Sequence, residues 1–307
     1  MTDDDLASWE SVSTDRSSGR DLVGLLAPEP ARVLNAMWAT SPVDVAVTAR
    51  IRQTCADTLG LVGLPVDDTG RSDDVDPTII EMARQFATDV SVVDDDLRAR
   101  VGQACGRSTF ETVQAVFVAD LVPRVRVALD ALAGAESTWD TAPPTQVEPP
   151  QFWATIEEFL REVHRLGALD PVVSEVVRLH GARQHNCRLC RSIRSRPALA
   201  AGADERLFDA IDNDGWIGLP ERTRAALALT DAMIWHPASI SDSLVVDVRR
   251  YFTPAEAVEL VLDVMHNAAN KIAVALAADA PNVTEGTEIY EIDADGVAHY
   301  GLGMLDR

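Results

Sequence analysis

Apolar residues recur at intervals of three and four through most of this chain, the spacing that gathers them on one side of an α-helix. The clearest run is Phe110 to Leu132, where Val113, Val116, Phe117, Leu121, Val125 and Leu129 make the stripe of a buried helix. Pro123 is expected to kink it. Before it, helical periodicity extends from Asp21 through Ala31 to Trp38, interrupted by Pro28 and Pro30, and then through a stretch from Ser41 that Gly63 and Pro65 close. An exposed loop rich in Asp and Gly, VDDTGRSDDVDP, leads to two further helices, Thr78 to Val90 and Asp94 to Gly102.

The second half repeats this style. Helices are predicted over Gln151 to Leu166, Asp170 to Arg183, Cys187 to Ala200 (ended or bent by Pro197), Leu219 to Trp235 and Leu244 to Tyr251. Thr253, Pro254 and Glu256 spell a capping box with proline in the first turn, opening a last helix that runs to about Ala278. After it the period changes. Thr287 to Ile292, the turn Asp293-Ala-Asp-Gly296 and Val297 to Tyr300 read as a small β-hairpin added to a helical protein. The fold class is therefore all-α with a C-terminal hairpin. The Pro-rich segment TWDTAPPTQVEPPQ lacks any period and reads as a linker. The expected organisation is a disordered N-terminus (1–20), a helical domain (21–137), the linker (138–150), a second helical domain (151–280) and a tail (281–307).

The two domains look like copies. At an offset of 128, the segment from Val47 to Val62 aligns with the segment from Glu175 to Cys190, so that Val47 faces Glu175, Leu59 faces Cys187 and Val62 faces Cys190. Phe86 to Asp89 then pairs with Ala228 to Asp231, and Glu111 to Val113 with Glu256 to Val258. The first copy lacks the polar residues of the second.

With 307 residues the chain can bury two cores of ordinary size, and 47% hydrophobic with 25% charged residues is a globular composition. A net charge of −22 argues against nucleic acid and anionic membranes as partners. No run has the length of a membrane span and the opening residues do not spell a secretory signal, so a cytoplasmic location is expected. Four cysteines with a single close pair do not make a secreted disulfide framework. Cys55 and Cys105, in apolar periodic stretches, are expected to be buried and inert.

That close pair, Cys187-x-x-Cys190, sits in an unusual setting. Between Val176 and Ala203 there is no Asp or Glu, although the chain has 49 acids, whereas Arg178, Arg183, Arg188, Arg191, Arg194 and Arg196 all lie there. Cations and a helix N-terminus both favour the reactive thiolate. Asn186 is a candidate N-cap that would put both sulfurs in the first turn. Glu175, twelve residues upstream, reaches them only if the chain turns near Gly181 to Asn186, which would make it a general base beside a thiol pair. His180 and His185 with the two cysteines can be written as a zinc set, but the crowding is poor for a tetrahedron, and no metal or other cofactor is expected.

Glu, eleven residues, Cys-x-x-Cys and a basic residue four further on resembles the active-site signature of the AhpD-like, or carboxymuconolactone decarboxylase, family, and DVMHNAANKIAVAL is similar to that family's last helix. The resemblance is specific over 151–280 and weak over 30–137. It implies a tandem pair of AhpD-like domains, assembly as a homo-oligomer (dimer or trimer), and a peroxidase cycle. In that cycle Cys190 attacks a hydroperoxide, Cys187 resolves the sulfenic acid and Glu175 moves the proton, with a dithiol or thioredoxin-like reductant closing the cycle. Arg194 and Leu189 stand where the family carries histidines, and arginine passes no proton near neutral pH. Arg194, Arg183 and Arg191 would then hold an anion, and His180, His185 or His266, the last beside Asn267 and Asn270, would replace the relay. The alternatives are a cofactor-independent lyase acting on a small acid through Glu175 and a histidine, and a non-catalytic scaffold.

Overall fold

A computed structural model describes residues 9, 18–66, 75–135, 139, 142–212 and 214–305. The expected disordered N-terminus lies almost wholly outside the described residues, as does most of the VDDTGRSDDVDP loop.

The fold is all-α with a small strand region near the C-terminus. The first half contains α1 (Gly19–Leu26), α2 (Pro28–Ala39), α3 (Val45–Leu59), α4 (Pro77–Asp89), α5 (Asp95–Cys105) and α6 (Thr109–Ala133). The second contains α7 (Pro149–His164), α8 (Pro171–Gln184), the short α9 (Arg188–Arg191), α10 (Arg196–Ala200) and α11 (Glu205–Ala210), then α12 (Glu221–Trp235), α13 (Asp242–Tyr251), α14 (Pro254–Asn267) and α15 (Asn270–Ala275). Part of the acid excess serves as caps. Asp44, Asp76, Asp94, Asp170 and Asp204 each accept a backbone N–H in the first turn of a helix, where the dipole also favours negative charge. The Thr253–Glu256 capping box forms as expected, with Pro254 in the first turn.

Helices α2 to α6 and the set α7, α8, α12, α13 and α14 follow one another in the same order. The aligned positions Val47 and Glu175 fall on the second helix of each set, and Glu111 and Glu256 on the last. Between the sets, α2 packs on α7 and α6 on α14. One hydrophobic core therefore runs through both halves, from Phe86, Phe117 and Leu129 to Phe152, Phe159 and Met265. A smaller cluster, Val176, Leu179, Phe208 and Leu227, seals α8 against α11 and α12. Among the described residues no helix is long and apolar enough to cross a membrane.

Several local expectations change. The periodic run is interrupted at Pro28, which opens α2, but not at Pro30, which lies inside that helix; Pro123 lies inside α6. Gly60, at φ 65°, closes α3 in place of Gly63. The linker is anchored where it is described: Trp139 is buried with its ring centre 5.6 Å from that of Trp38, the rings nearly perpendicular, and β2 (Thr145–Gln146) pairs in parallel with β1 (Thr40–Ser41). The last helix breaks after Asn267 and resumes at Asn270. The hairpin is no appendage. Its first strand, β4 (Thr287–Ile292), pairs in parallel with β3 (Ile193–Ser195) and antiparallel with β5 (Ala298–His299) and β6 (Met304–Leu305).

A candidate thiol site between α8, α14 and the C-terminal strands

The predicted helix from Cys187 to Ala200 is three elements, α9, β3 and α10, and Pro197 starts the last of them. Helix α8 ends at Gln184 with His185 as its C-cap, and Asn186 takes the left-handed conformation (φ 52°) that turns the chain, a state asparagine tolerates better than most residues. Asn186 is thus the exit of α8 and not the cap of α9. Cys187 is that cap, its sulfur accepting the Cys190 N–H at 3.3 Å. Cys187 and Cys190 are joined as a disulfide with Cα atoms 5.4 Å apart. Cys187 is sealed at 1% exposure and Cys190 is 9% exposed.

Arg178 links α8 to this segment. Its Nε and Nη2 bind Glu175 at 2.7 and 2.8 Å, and its Nη1 and Nη2 donate to the carbonyls of Cys190 and Ile193 at 2.7 and 2.9 Å. Glu175 also accepts the Ser195 N–H at 3.1 Å and the Tyr290 hydroxyl at 3.2 Å. Four donors occupy its two oxygens. The expectation of Glu175 as a free base at the sulfurs is corrected accordingly: it holds the guanidinium that positions the Cys190 backbone. Burial, then the Glu175 charge, push the Tyr290 phenol upward, so Tyr290 stays a donor.

Two adjoining cavities meet here. One, of about 330 Å³, is lined by Glu175, Arg178, Ser174 and Asp263; the other, of about 350 Å³, by Cys190, Leu160, Ile193 and Tyr300. Both touch His164, His266, Asn267 and Tyr290. The two imidazoles lie 3.9 Å apart, centre to centre. Burial lowers the pKa of each, and for His266 the neighbouring His164 lowers it further, so both are neutral bases at pH 7. His266 was anticipated from sequence, whereas His164 and Tyr290 were not. Both come from elements remote from the cysteine motif, and nothing in their local sequence marks them.

The other candidates are elsewhere. His180 is held by Asp231 at 2.6 Å, with its ring edge on Trp216. His185 is buried beside Arg124 and Lys271, kept neutral first by burial and then by those cations. The cationic surround is neutralised by acids from outside the acid-free stretch. Arg194 forms a two-pronged pair with Glu205 and lies over the Phe208 ring, Arg188 pairs with Asp279, and Arg183 with Asp212. Arg191 is exposed and bonds Asn186. The anion-holding role expected for Arg194 is thus replaced by a structural one. Cys55 is buried and burial pushes its thiol upward, while Cys105 is half-buried, more open than expected. Among the described residues no group of three or more His, Cys, Asp and Glu is arranged to hold a metal ion.

No protein-family profile matches the chain, and no solved structure does. Two proteins of Mycobacterium tuberculosis match closely: Uncharacterized protein MT2376 of strain CDC 1551 / Oshkosh and Uncharacterized protein Rv2313c of strain ATCC 25618 / H37Rv. Each is 42% identical over 269 residues, an overlap that spans 86% of this chain and 95% of theirs. The chain with the Cys187–Cys190 pair therefore belongs to the family of these mycobacterial proteins.

Proposed function

We propose that this protein is an AhpD-like thiol oxidoreductase whose working group is the Cys187–Cys190 pair. The observation that carries the reading is that Cys190 lines a cavity alongside two neutral imidazoles, while its disulfide partner is sealed behind it. In the reduced protein the Cys190 thiolate attacks the outer oxygen of a small hydroperoxide, the O–O bond breaks, and an alcohol leaves with a proton. The Cys187 thiolate then displaces hydroxide from the Cys190 sulfenic acid, giving the disulfide and, with a second proton, water. A dithiol donor returns two electrons through a mixed disulfide on Cys190. His266 takes the place of Glu175 as proton carrier in this scheme, since the lone pairs of Glu175 are engaged. With Cys190 at the wall of a cavity, a small dithiol fits better than the face of a thioredoxin-like protein. A cytoplasmic setting and a dimer or trimer belong to the same proposal.

The test is peroxide consumption supported by a small dithiol. Turnover is expected to vanish in Cys190→Ser and to persist in Cys55→Ser. A reduced protein that loses no thiols on adding peroxide would remove the reading, and activity on a small acid surviving in Cys187→Ser/Cys190→Ser would favour the lyase. The carboxylate pairing of Arg183, Arg188 and Arg194 tells against that alternative, which needs guanidinium groups free to grip substrate.

A further inference from the structure

The cavity beside Glu175 has a second wall, on α14, that thiol chemistry leaves unexplained. Glu259 and Asp263 stand one helical turn apart there, 5% and 9% exposed, and both line the cavity. Like charges at this spacing oppose each other, and burial adds a desolvation cost. Three other buried carboxylates are compensated by cations, Asp120 by Arg124 and Lys271, Glu175 by Arg178 and Asp279 by Arg188, all at 2.5 to 2.7 Å, while buried Glu288, which lines neither cavity, accepts the Asn282 amide at 3.0 Å. Glu259 and Asp263 have no cation partner among the described residues.

Their hydrogen bonds are incomplete as well. Glu259 Oε2 accepts the Ala168 and Leu169 N–H groups at 2.7 and 3.1 Å, and Asp263 Oδ2 accepts the Ser174 hydroxyl at 3.0 Å. Glu259 Oε1 and Asp263 Oδ1 have no donor among the described residues. Burial, then the Glu259 charge, push the Asp263 carboxyl up to about 8. The facing imidazoles add acceptors. His164 Nδ1 lies 3.3 Å from the Gly296 carbonyl, which can only accept, so Nδ1 carries the hydrogen and Nε2 keeps its lone pair. Arg178, the cation in this lining, is engaged by Glu175 and two carbonyls. Below about pH 8 the empty cavity holds a proton on Asp263, and a cation settling between the two carboxylates favours its release, so to a cation the cavity offers negative charge and acceptors in excess of donors.

We propose that this wall binds a protonated primary amine, whose three N–H donors match Asp263 Oδ1, Glu259 Oε1 and an imidazole Nε2. Resting on the thiol reading above, the proposal replaces its generic dithiol donor with two molecules of a small aminothiol, the first bound with its ammonium at Asp263 and its sulfur at Cys190 in the adjoining cavity. The aminothiolate attacks the Cys190 sulfur, the Cys187–Cys190 bond breaks, and Cys187 leaves as thiolate. A second aminothiolate then attacks the sulfur of the bound aminothiol, releasing the diamino disulfide and the Cys190 thiolate. Two aminothiols are oxidised and one protein disulfide is reduced.

The test uses the full-length oxidised protein with aminoalkanethiols of increasing length, against hydroxyalkanethiols of matched length. Each rate is divided by that of the same thiol reducing a free small disulfide, which removes differences in intrinsic reactivity. The normalised preference for the amine is expected to reach about tenfold at the best length, the scale of a charge-assisted bond, and to disappear in Asp263→Asn. Calorimetry with n-butylamine on Cys187→Ser/Cys190→Ser protein reads the subsite without the chemistry. No n-butylamine binding together with equal normalised rates overturns the amine subsite and leaves the thiol reading standing. Binding of n-butylamine abolished by Glu259→Gln/Asp263→Asn, with neither thiol series reducing the protein, upholds the subsite and removes the thiol reading.

Discussion

Two buried charged clusters among the described residues are built oppositely. In the first, Asp120 and Arg124 on α6 meet Lys271 on α15, all at most 4% exposed. Arg124 takes Asp120 Oδ1 at 2.7 and 2.9 Å and Lys271 takes Oδ2 at 2.5 Å, while Arg124 also donates to the carbonyls of Ala87, Met233 and Ile234. The space beside them is about 10 Å³, room for roughly one water. This cluster ties α4, α6, α12 and α15 together and has no room for a reactant. In the second, Glu175 and Arg178 are as tightly paired, but Glu259, Asp263, His164 and His266 keep acceptors turned to open space. Buried charge alone therefore does not mark a working site. Charge left uncompensated beside a cavity does.

The sharpest way to break this comparison is at the compensated cluster. Asp120→Ala strands two buried cations and is expected to cost about 3–5 kcal/mol in urea unfolding, with Lys271→Met milder because Arg124 keeps its partner. The uncompensated wall predicts the reverse sign. The folded-state pKa of Asp263, near 8, lies above the unfolded value of about 3.9, so the folded protein holds an extra proton between them. Its contribution to stability is complete below about pH 4, is lost as pH rises to about 8, and is constant beyond. Asp263→Asn is therefore expected to stabilise by about 1–3 kcal/mol above pH ~8 and to change little near pH ~4, as read from unfolding at the two pH values. An equal effect at both would contradict the uncompensated wall.

Smaller effects sharpen the same contrast. Thr253→Ala removes the capping box at the start of α14, the helix carrying the acidic wall, and should cost about 1 kcal/mol in thermal unfolding. Arg191→Gln should change stability by no more than about 0.5 kcal/mol, because that guanidinium is exposed and bonds only the neighbouring Asn186 among the described residues. A larger loss would restore weight to the arginine cluster as a device in its own right.

The elements were legible because their causes are local. A three-and-four apolar period, aspartates before helices and the Thr253–Glu256 box each act within a turn or two, and the hairpin follows from Asp-Gly after an alternating run. The close cysteine pair and the turn that precedes it were legible for the same reason. The charge state of the site was not. Arg188 finds Asp279 across 91 positions and Arg194 finds Glu205 across 11, so a stretch without acids is neutralised by the fold. Glu175 looked like a base because sequence shows neither the Ser195 N–H nor the Tyr290 hydroxyl that occupy it. Likewise β3 forms within a predicted helix because β4 supplies a strand for it to pair with.

The central claim is that Cys190 faces the reactant space while Cys187 stands behind it. Reduced Cys187→Ser protein treated with a small symmetric disulfide tests this most directly, since the mixed disulfide cannot be resolved and its position can be mapped by peptide mass. In a Cys105→Ser background, since that free thiol is half-buried and open to the reagent, a single adduct on Cys190, with Cys55 unmodified and no adduct in Cys190→Ser, is the predicted result. Labelling of Cys187 in Cys190→Ser as fast as Cys190 in Cys187→Ser, or no adduct on either, would contradict it.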